Sequence, residues 1–406
     1  MTTHVPADPG EVREVVGSAF AERRPVEIVG RGTKRGLGRP LQLEHVLDVS
    51  RLSGIVDYEP SELVLTAQAG TPLAEIEAAL SSHNQILAFE PPDLAALLGS
   101  TPVEQTLAGV LACNLAGPRR IKAGAARDHF LGFHAVNGRA QLFKAGGKVV
   151  KNVTGYDLCK LMCGSYGTLA VLTEAAMKVL PRPEKARTVL LLGATDRDAI
   201  AALAKALNSP HEVSAAAHLP VPIGGRSSVS HVNGAGVAVT AVRIEGPGPS
   251  VTHRCERVHE VLAEFGPTEE LHTENSARFW REVADVSAFA AMPDRAVWRI
   301  SVAPSVAAAL VGRIERTLDA LSYYDWGGGL VWLAIRDLQD GGASVIRPAL
   351  SATEGHATLV RAPVGVRATV DVFQPLSPAL ARLTAQVKAG FDPENILNPG
   401  RVHRPS

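Results

Sequence analysis

The sequence predicts an α+β protein of two successive domains closed by a C-terminal segment, and three observations predict it. Strand-like and helix-like segments alternate as far as residue 180 and stop at Pro181-Arg182-Pro183, a proline pair suited to a domain boundary. Beyond it the order is strand, helix, strand, strand, helix, strand, the order of a ferredoxin-like βαββαβ unit. Near the C-terminus, the stretch from Phe391 to Arg401 packs two Pro and two Asn into eleven residues. An exposed tail needs no such turn chemistry, so the stretch reads as a lock against another part of the chain. The expected divisions are 1–183, 184–370 and 371–406.

The elements follow in order. Residues 25–29 form a short apolar strand running into Gly30, and 44–49 and 63–67 form two more. Thr71-Pro72 then opens a helix, with Thr71 placed to cap it and Leu73, Ile76 and Leu80 on one face. Residues 130–136 and 140–143 flank Asn137-Gly138, a hairpin signal in which both turn positions favour positive φ. Residues 168–180 form a long strand. Past the boundary come strand 188–192, helix 196–207, strands 213–219 and 236–244, helix 251–265 and a strand near Leu271. Residues 220–235 are rich in Gly and Ser and read as a loop. A second alternation follows: strand 297–302, helix 306–321, strand 330–335, a helical stretch, and strand 356–361. Together the two halves predict a curved sheet with helices on one face.

Composition narrows the function. The 41 basic and 41 acidic residues cancel, so no global field draws the chain to nucleic acid or an anionic membrane. No run reaches the ~18 apolar residues of a membrane span, and the N-terminus lacks the pattern of a secretory signal. The expectation is a cytoplasmic protein, reaching a membrane only through partners. Four cysteines (Cys113, Cys159, Cys163 and Cys255) lack the spacing of a zinc or iron–sulfur site. They read as reduced thiols, with no metal expected.

Four motifs carry chemistry. Val29-Gly30-Arg31-Gly32-Thr33-Lys34 is a strand-to-turn segment whose glycines let consecutive N–H groups converge on a phosphate, with the Thr33 hydroxyl beside them. It is no Rossmann fingerprint, because Arg35 stands where the third glycine belongs, and no P-loop. A plain glycine-rich surface turn is the alternative. Thr106 to Pro118 is a run of small residues including Leu107, Gly109, Ala112, Asn114 and Gly117. It admits a second backbone or a flat ring system at close range, or else packs as a buried helix. Lys151 to Leu158 leads into Gly164-Ser165-Tyr166-Gly167-Thr168, a turn feeding a strand that contains Val171. Main-chain groups there can read a ligand edge, or the turn is structural. The fourth motif is the Asn398 segment.

In this order the four motifs resemble the FAD-binding fold of the vanillyl-alcohol oxidase and p-cresol methylhydroxylase type of flavoprotein. The resemblance implies a two-subdomain FAD-binding domain of that type, then the ferredoxin-like cap that contacts substrate. It implies that Gly30, Arg31, Gly32, Thr33 and Lys34 hold the FAD diphosphate, and that Thr106, Leu107, Gly109, Ala112, Asn114 and Gly117 lie along the flavin. Gly164, Ser165, Gly167, Thr168 and Val171 would meet the adenine side, with Arg127 and Asn398 also at the site. Further strings, among them GPRR at Gly117, RDHFLG at Arg127, FWRE at Phe279, WRISVAP at Trp298, the Trp326-Gly327-Gly328-Gly329 stretch and GHAT at Gly355, resemble the FAD-binding subunit of bacterial glycolate oxidase. That resemblance spans nearly the whole chain and thins between residues 184 and 279. It implies oxidation of a small 2-hydroxy acid beside a larger FAD-linked subunit and an iron–sulfur subunit. Two other readings stay open: a stand-alone flavin oxidase or dehydrogenase, and a non-catalytic scaffold.

The chain departs from related 2-hydroxy-acid enzymes in two places. Members with covalent flavin commonly use a histidine at the diphosphate loop; this loop has none, and Cys113 and His134 lack an attachment context, so dissociable FAD is expected. The histidine-rich string resembling HxxGDGNxH is missing from the second domain. His253, His259 and His272 are scattered, and only His356 falls in a matching string. Arg243, Arg299 and Arg361 lie on strand-like segments and are compatible with carboxylate binding or with plain strand roles. No catalytic residue is assigned.

Overall fold

Some helix starts in this chain are set by short polar side chains. At the first helix, Pro9–Ala21, the Asp8 carboxylate accepts from the amides of Gly10 and Glu11, and Val12, Val16 and Ala19 form its buried face. The computed structural model describes residues 1–100, 103–148, 155–336 and 339–404. They fall into two compact units: Met1–Leu115 with Gly124–Arg182 and Pro375–Ser406, and Ala116–Ala123 with Pro183–Gln374.

The first unit holds three sheets. Strands β1 (Thr2–His4), β2 (Val26–Val29) and β3 (His45–Asp48) pair in parallel in the order β1-β3-β2. Strands β4 (Ile55–Glu59) and β5 (Val64–Gln68) belong to an antiparallel sheet. The two-residue strand β6 (Gln85–Ile86) lies elsewhere. With β7 (Phe130–Asn137), β8 (Leu142–Gly146) and β9 (Ala170–Lys178), the antiparallel sheet has the order β4-β5-β9-β7-β8. Strand β10 (Leu180–Pro181) pairs with β6. The single strand expected over 168–180 is therefore interrupted at Val179. The N-terminal strand and helix, and β4, have no counterpart in the sequence reading.

Two turn assignments change in mechanism. The helix at residue 73 runs Leu73–Ser82 with Pro72 at its cap position and no side-chain cap. Thr71 instead spends its hydroxyl on the preceding turn, donating to the Gln68 carbonyl at 2.7 Å and accepting from the Gly54 amide at 3.0 Å. The hairpin after β7 forms, but not as a two-residue turn. The Asn137 carboxamide oxygen accepts from the amides of Arg139 and Gln141, and Ala140 takes the positive φ of 58°. Gly138 is needed for space: a Cβ there would sit 2.4 Å from the Asp392 carboxylate.

The second unit is built on one antiparallel sheet of eight strands: β11 (Lys185–Leu192), β12 (Ala215–Leu219), β13 (Val239–Gly246), β14 (Thr268–Leu271), β15 (Ala296–Ser301), β16 (Ala320–Asp325), β17 (Leu330–Ile335) and β18 (His356–Arg361). Their order is β14-β11-β13-β12-β16-β17-β15-β18. Each half is a βαββαβ unit, and the halves join through one residue pair, His218 with Tyr324. Helices Asp196–Leu207 and Gly248–Leu262 pack on the first half through Ala199, Leu203, Val251 and Val258, against Val189, Leu191, Val242 and Ile244. Helices Pro304–Glu315 and Ala343–Leu350 do the same on the second half against Trp298, Ile300, Leu333 and Leu359.

Helices are not confined to one face, contrary to the expectation. Thr188 alternates with Val189 and so points to the opposite side. There the Trp280 indole of helix Thr273–Ala284 donates to its hydroxyl at 2.8 Å. The helix expected over 306–321 ends at Glu315, and Ala320 starts β16. Residues 220–235 contain two short helices, Val221–Gly224 and Ser230–Asn233. Residues 116–123, read from sequence as part of the first domain, pack in the second unit. Arg119 holds Glu245 bidentately at 3.0 and 2.7 Å, Ile121 packs on the first-half core, and the Trp326 indole donates to the Gly117 carbonyl at 3.1 Å.

Candidate functional site

In the first unit, β2 runs into the glycine turn and opens a groove beside it. Three segments far apart in sequence line it: the turn from Ile28 to Arg35, the small-residue helix Leu107–Cys113 with its cap Thr106, and the turn at Ser165, Tyr166 and Gly167. Asn398 and Arg401 complete it from the C-terminal segment.

Each glycine at the turn answers to a local demand. A Cβ on Gly30 would lie 2.5 Å from the Thr106 hydroxyl, so the loop passes against the cap of the small-residue helix only because Gly30 has no side chain. Gly32 takes φ 78°. The amides of Gly30, Arg31, Gly32 and Thr33 have no hydrogen-bond acceptor among the described residues. Consecutive unspent donors at a left-handed glycine suit a phosphate-binding nest. Gly167, at φ 68°, would bring a Cβ within 2.8 Å of the Asn398 side-chain nitrogen.

Asn398 ties the groove together. Its carboxamide accepts from the Ile28 amide at 2.8 Å and donates to the Tyr166 carbonyl at 2.8 Å, while Val26 and Leu397 form a parallel bridge. Arg401 is buried. It donates to Glu27 at 3.0 Å and to the carbonyls of Arg35 and Leu37, and Arg35 meets the other Glu27 oxygen at 2.6 Å. Lys34 donates to Gln105 at 2.8 Å and Thr33 at 3.2 Å, and burial brings its ammonium down to about 8. The Cys113 thiol, also lining the groove, is pushed up to about 11 by burial and stays protonated at neutral pH.

The groove thus gathers Gly30, Arg31, Gly32, Thr33, Lys34, Thr106, Gly109, Ala112, Ser165, Gly167 and Asn398 from the residues the sequence singled out. It does not gather all of them. Leu107 and Val171 are buried in the core. Asn114 ends its helix in a left-handed conformation and accepts from the Cys163 thiol, with Gly164 packed against it. The Thr168 hydroxyl donates to the Ser165 carbonyl, Arg127 is an exposed residue beside Asp128, and Gly117 belongs to the second unit. Lys151, Asn152, Val153 and Thr154 lie outside the described residues. Sequence reasoning missed Arg35, Cys113, Tyr166 and Arg401 as lining residues. The signal for Arg401 was present, because an arginine closing the Asn398 motif needs a carboxylate.

Two of the arginines considered for a carboxylate have structural partners. Arg243 is buried, bonded to the Ser214 hydroxyl and stacked 5.1 Å from the Trp280 ring, and Arg361 donates to the Phe289 and Arg295 carbonyls. Arg299 and Arg120 flank the Trp326 ring at 5.0 and 4.5 Å. Partial burial and the nearby Arg299, Arg120 and Arg347 hold His356 below the usual histidine range. His134 on β7 faces Glu174 on β9. Among the described residues no three His, Cys, Asp or Glu side chains converge as metal ligands.

The groove's open shape, unspent amide donors, close-approach glycines and buried amine fit a dinucleotide with a diphosphate, and the fold is that of the p-cresol methylhydroxylase type of flavoprotein. The crystal structure of p-cresol methylhydroxylase with substrate bound superposes with a TM-score of 0.70 at 12% identity, over 99% of this chain and 88% of that one. The FAD binding domain model matches residues 3–146, and the C-terminal domain model of FAD linked oxidases matches residues 364–402. This chain is 37% identical to the glycolate oxidase subunit GlcE of Escherichia coli (strain K12) over 391 residues, 96% of each chain. It is 31% identical to the glycolate oxidase subunit GlcD of Bacillus subtilis (strain 168) over 46% of this chain and 38% of that one. The chain belongs to the FAD-linked oxidase family that includes GlcE, and it is a flavin-dependent oxidoreductase.

Proposed function

We propose that this chain is the FAD-binding subunit of a complex that oxidises glycolate, or a close 2-hydroxy acid, to the 2-oxo acid. The observation that carries the reading is the alignment with GlcE along 96% of both chains. FAD supplies the two-electron acceptor for oxidation at the CH–OH carbon. The chain's own residues do the binding. The Gly30–Thr33 amides hold the diphosphate, Gly109 and Ala112 leave room for a flat ring, and Asn398 fixes the glycine turn against the Tyr166 turn. Dissociable FAD fits a glycine turn without histidine.

A larger FAD-linked subunit and an iron–sulfur subunit are the proposed partners, taking electrons onward. Among the described residues no helix is long and apolar enough to cross a membrane. The test is affinity purification of the tagged chain from its native host, read by visible absorption and mass spectrometry. Flavin bands, an iron–sulfur partner and bleaching on addition of glycolate are expected, with the denatured chain at its unmodified mass. A colourless chain purified alone that takes up no FAD sinks the reading. Full glycolate oxidation by the isolated chain overturns the division of labour, and a flavin adduct overturns the dissociable cofactor.

A further inference from the structure

The cations of the groove are not equivalent. Arg31 pairs with Glu104 at 3.2 Å, and Arg35 and Arg401 share Glu27. Lys34 has no carboxylate within salt-bridge range among the described residues, although it stands half-buried in the groove lining. The groups that face it are the Thr33 hydroxyl and the Gln105 carboxamide, both bonded to it, Gly109 beside its stem, and the Cys113 thiol. The Asp93 carboxylate acts on it only through its field. A buried ammonium without a counter-ion is costly, and the cheapest relief in the free chain is loss of the proton. The groove reading puts two phosphate charges beside this amine.

We propose, resting on the FAD reading above, that Lys34 is the proton-linked counter-ion of the FAD diphosphate, so that cofactor binding takes up a proton and weakens as the pH rises. The amine is largely neutral in the free chain in mildly alkaline solution and becomes an ammonium when the diphosphate arrives. Below the free chain's value of about 8 the proton is already in place and affinity is level. Above it each binding event must collect one. The Cys113 thiol, with its pKa near 11, keeps its proton across this window.

The test is calorimetric titration of the FAD-free chain with FAD in two buffers of different ionisation enthalpy, alongside fluorescence-quenching Kd measurements. Linkage gives uptake of about 0.8 proton near pH 9 and a Kd that rises about tenfold between pH 7 and pH 9. Lys34→Arg keeps its charge, so it binds FAD without proton uptake and with a level Kd. Lys34→Met binds more weakly at pH 7 and is also level. Thermal unfolding checks that both variants fold. Wild-type binding with no proton uptake and a level Kd overturns the proposal and leaves the FAD reading standing, as does uptake that persists in Lys34→Met. Failure of the wild-type chain to bind FAD at any pH overturns both.

Discussion

Replacing Glu27 by Gln removes one charge from a buried ion cluster of the first unit. Arg401 donates one guanidinium nitrogen to Glu27 at 3.0 Å and another to the Arg35 carbonyl at 3.2 Å, with its side chain 6% exposed. Water cannot take over the lost charge. Breaking one side of a buried pair costs about 3–5 kcal/mol, and the amide's remaining acceptor and the partial exposure of Arg35 place Glu27→Gln near 3. At about 2–4 °C per kcal/mol for a domain of this size, Tm falls by about 6–12 °C. Calorimetric unfolding of FAD-free protein measures it. The double variant Glu27→Gln/Arg401→Met removes the buried pair and should recover most of the loss, because the one cation left without its carboxylate, Arg35, is 43% exposed and keeps its water. A single variant within about 1 kcal/mol of wild type, or a double variant no better than the single, refutes the reasoning.

Two other outcomes are expected. Glu245 is desolvated, yet Arg243 and Arg119 hold its pKa down at about 2 against an ordinary 4.5, so its stabilisation is present above 4.5 and lost as pH falls toward 2. Glu245→Gln should therefore cost about 3 kcal/mol near neutrality, with wild type and variant converging in acid unfolding; a pH-independent difference contradicts this. Gly167→Ala places a Cβ 2.8 Å from the Asn398 amide nitrogen in a left-handed backbone. About 1–2 kcal/mol of stability and tenfold or more in FAD affinity should go, measured by urea unfolding and fluorescence quenching; unaltered affinity would show that this turn does not shape the groove.

Much of the fold was legible because its signals are local. The order of β11 to β14 with their two helices reads directly from apolar periodicity, and the glycine turn is visible where the apolar run 25–29 ends. Helix 306–321 was overextended because Leu318 and Leu321 keep a helical spacing that β16 overrides through pairing with β17. The hairpin at Asn137 was right in place and wrong in mechanism, since Gly138 answers to Asp392, more than 250 positions away. The same non-locality hid the carboxylate partner of Arg401, Glu27, on the far side of the sequence. Asn114 and Gly164 look like ligand contacts in sequence because each carries an unusual backbone, but they spend it on each other. Small residues announce close approach without saying what approaches.

The first unit is discontinuous, and this orders its assembly in time. The amide of Val26 is satisfied by Ile396, that of Ile28 by Asn398, and Glu27 by Arg401. A ribosome finishes all of the second unit before it releases these partners. While residues 183–374 emerge and can fold on their own local contacts, β2 and its glycine turn must wait with an open edge and a carboxylate lacking one of its arginines. On the proposed FAD reading flavin loading is therefore a late event, and a nascent chain arrested before residue 398 should expose an edge on which chaperones act.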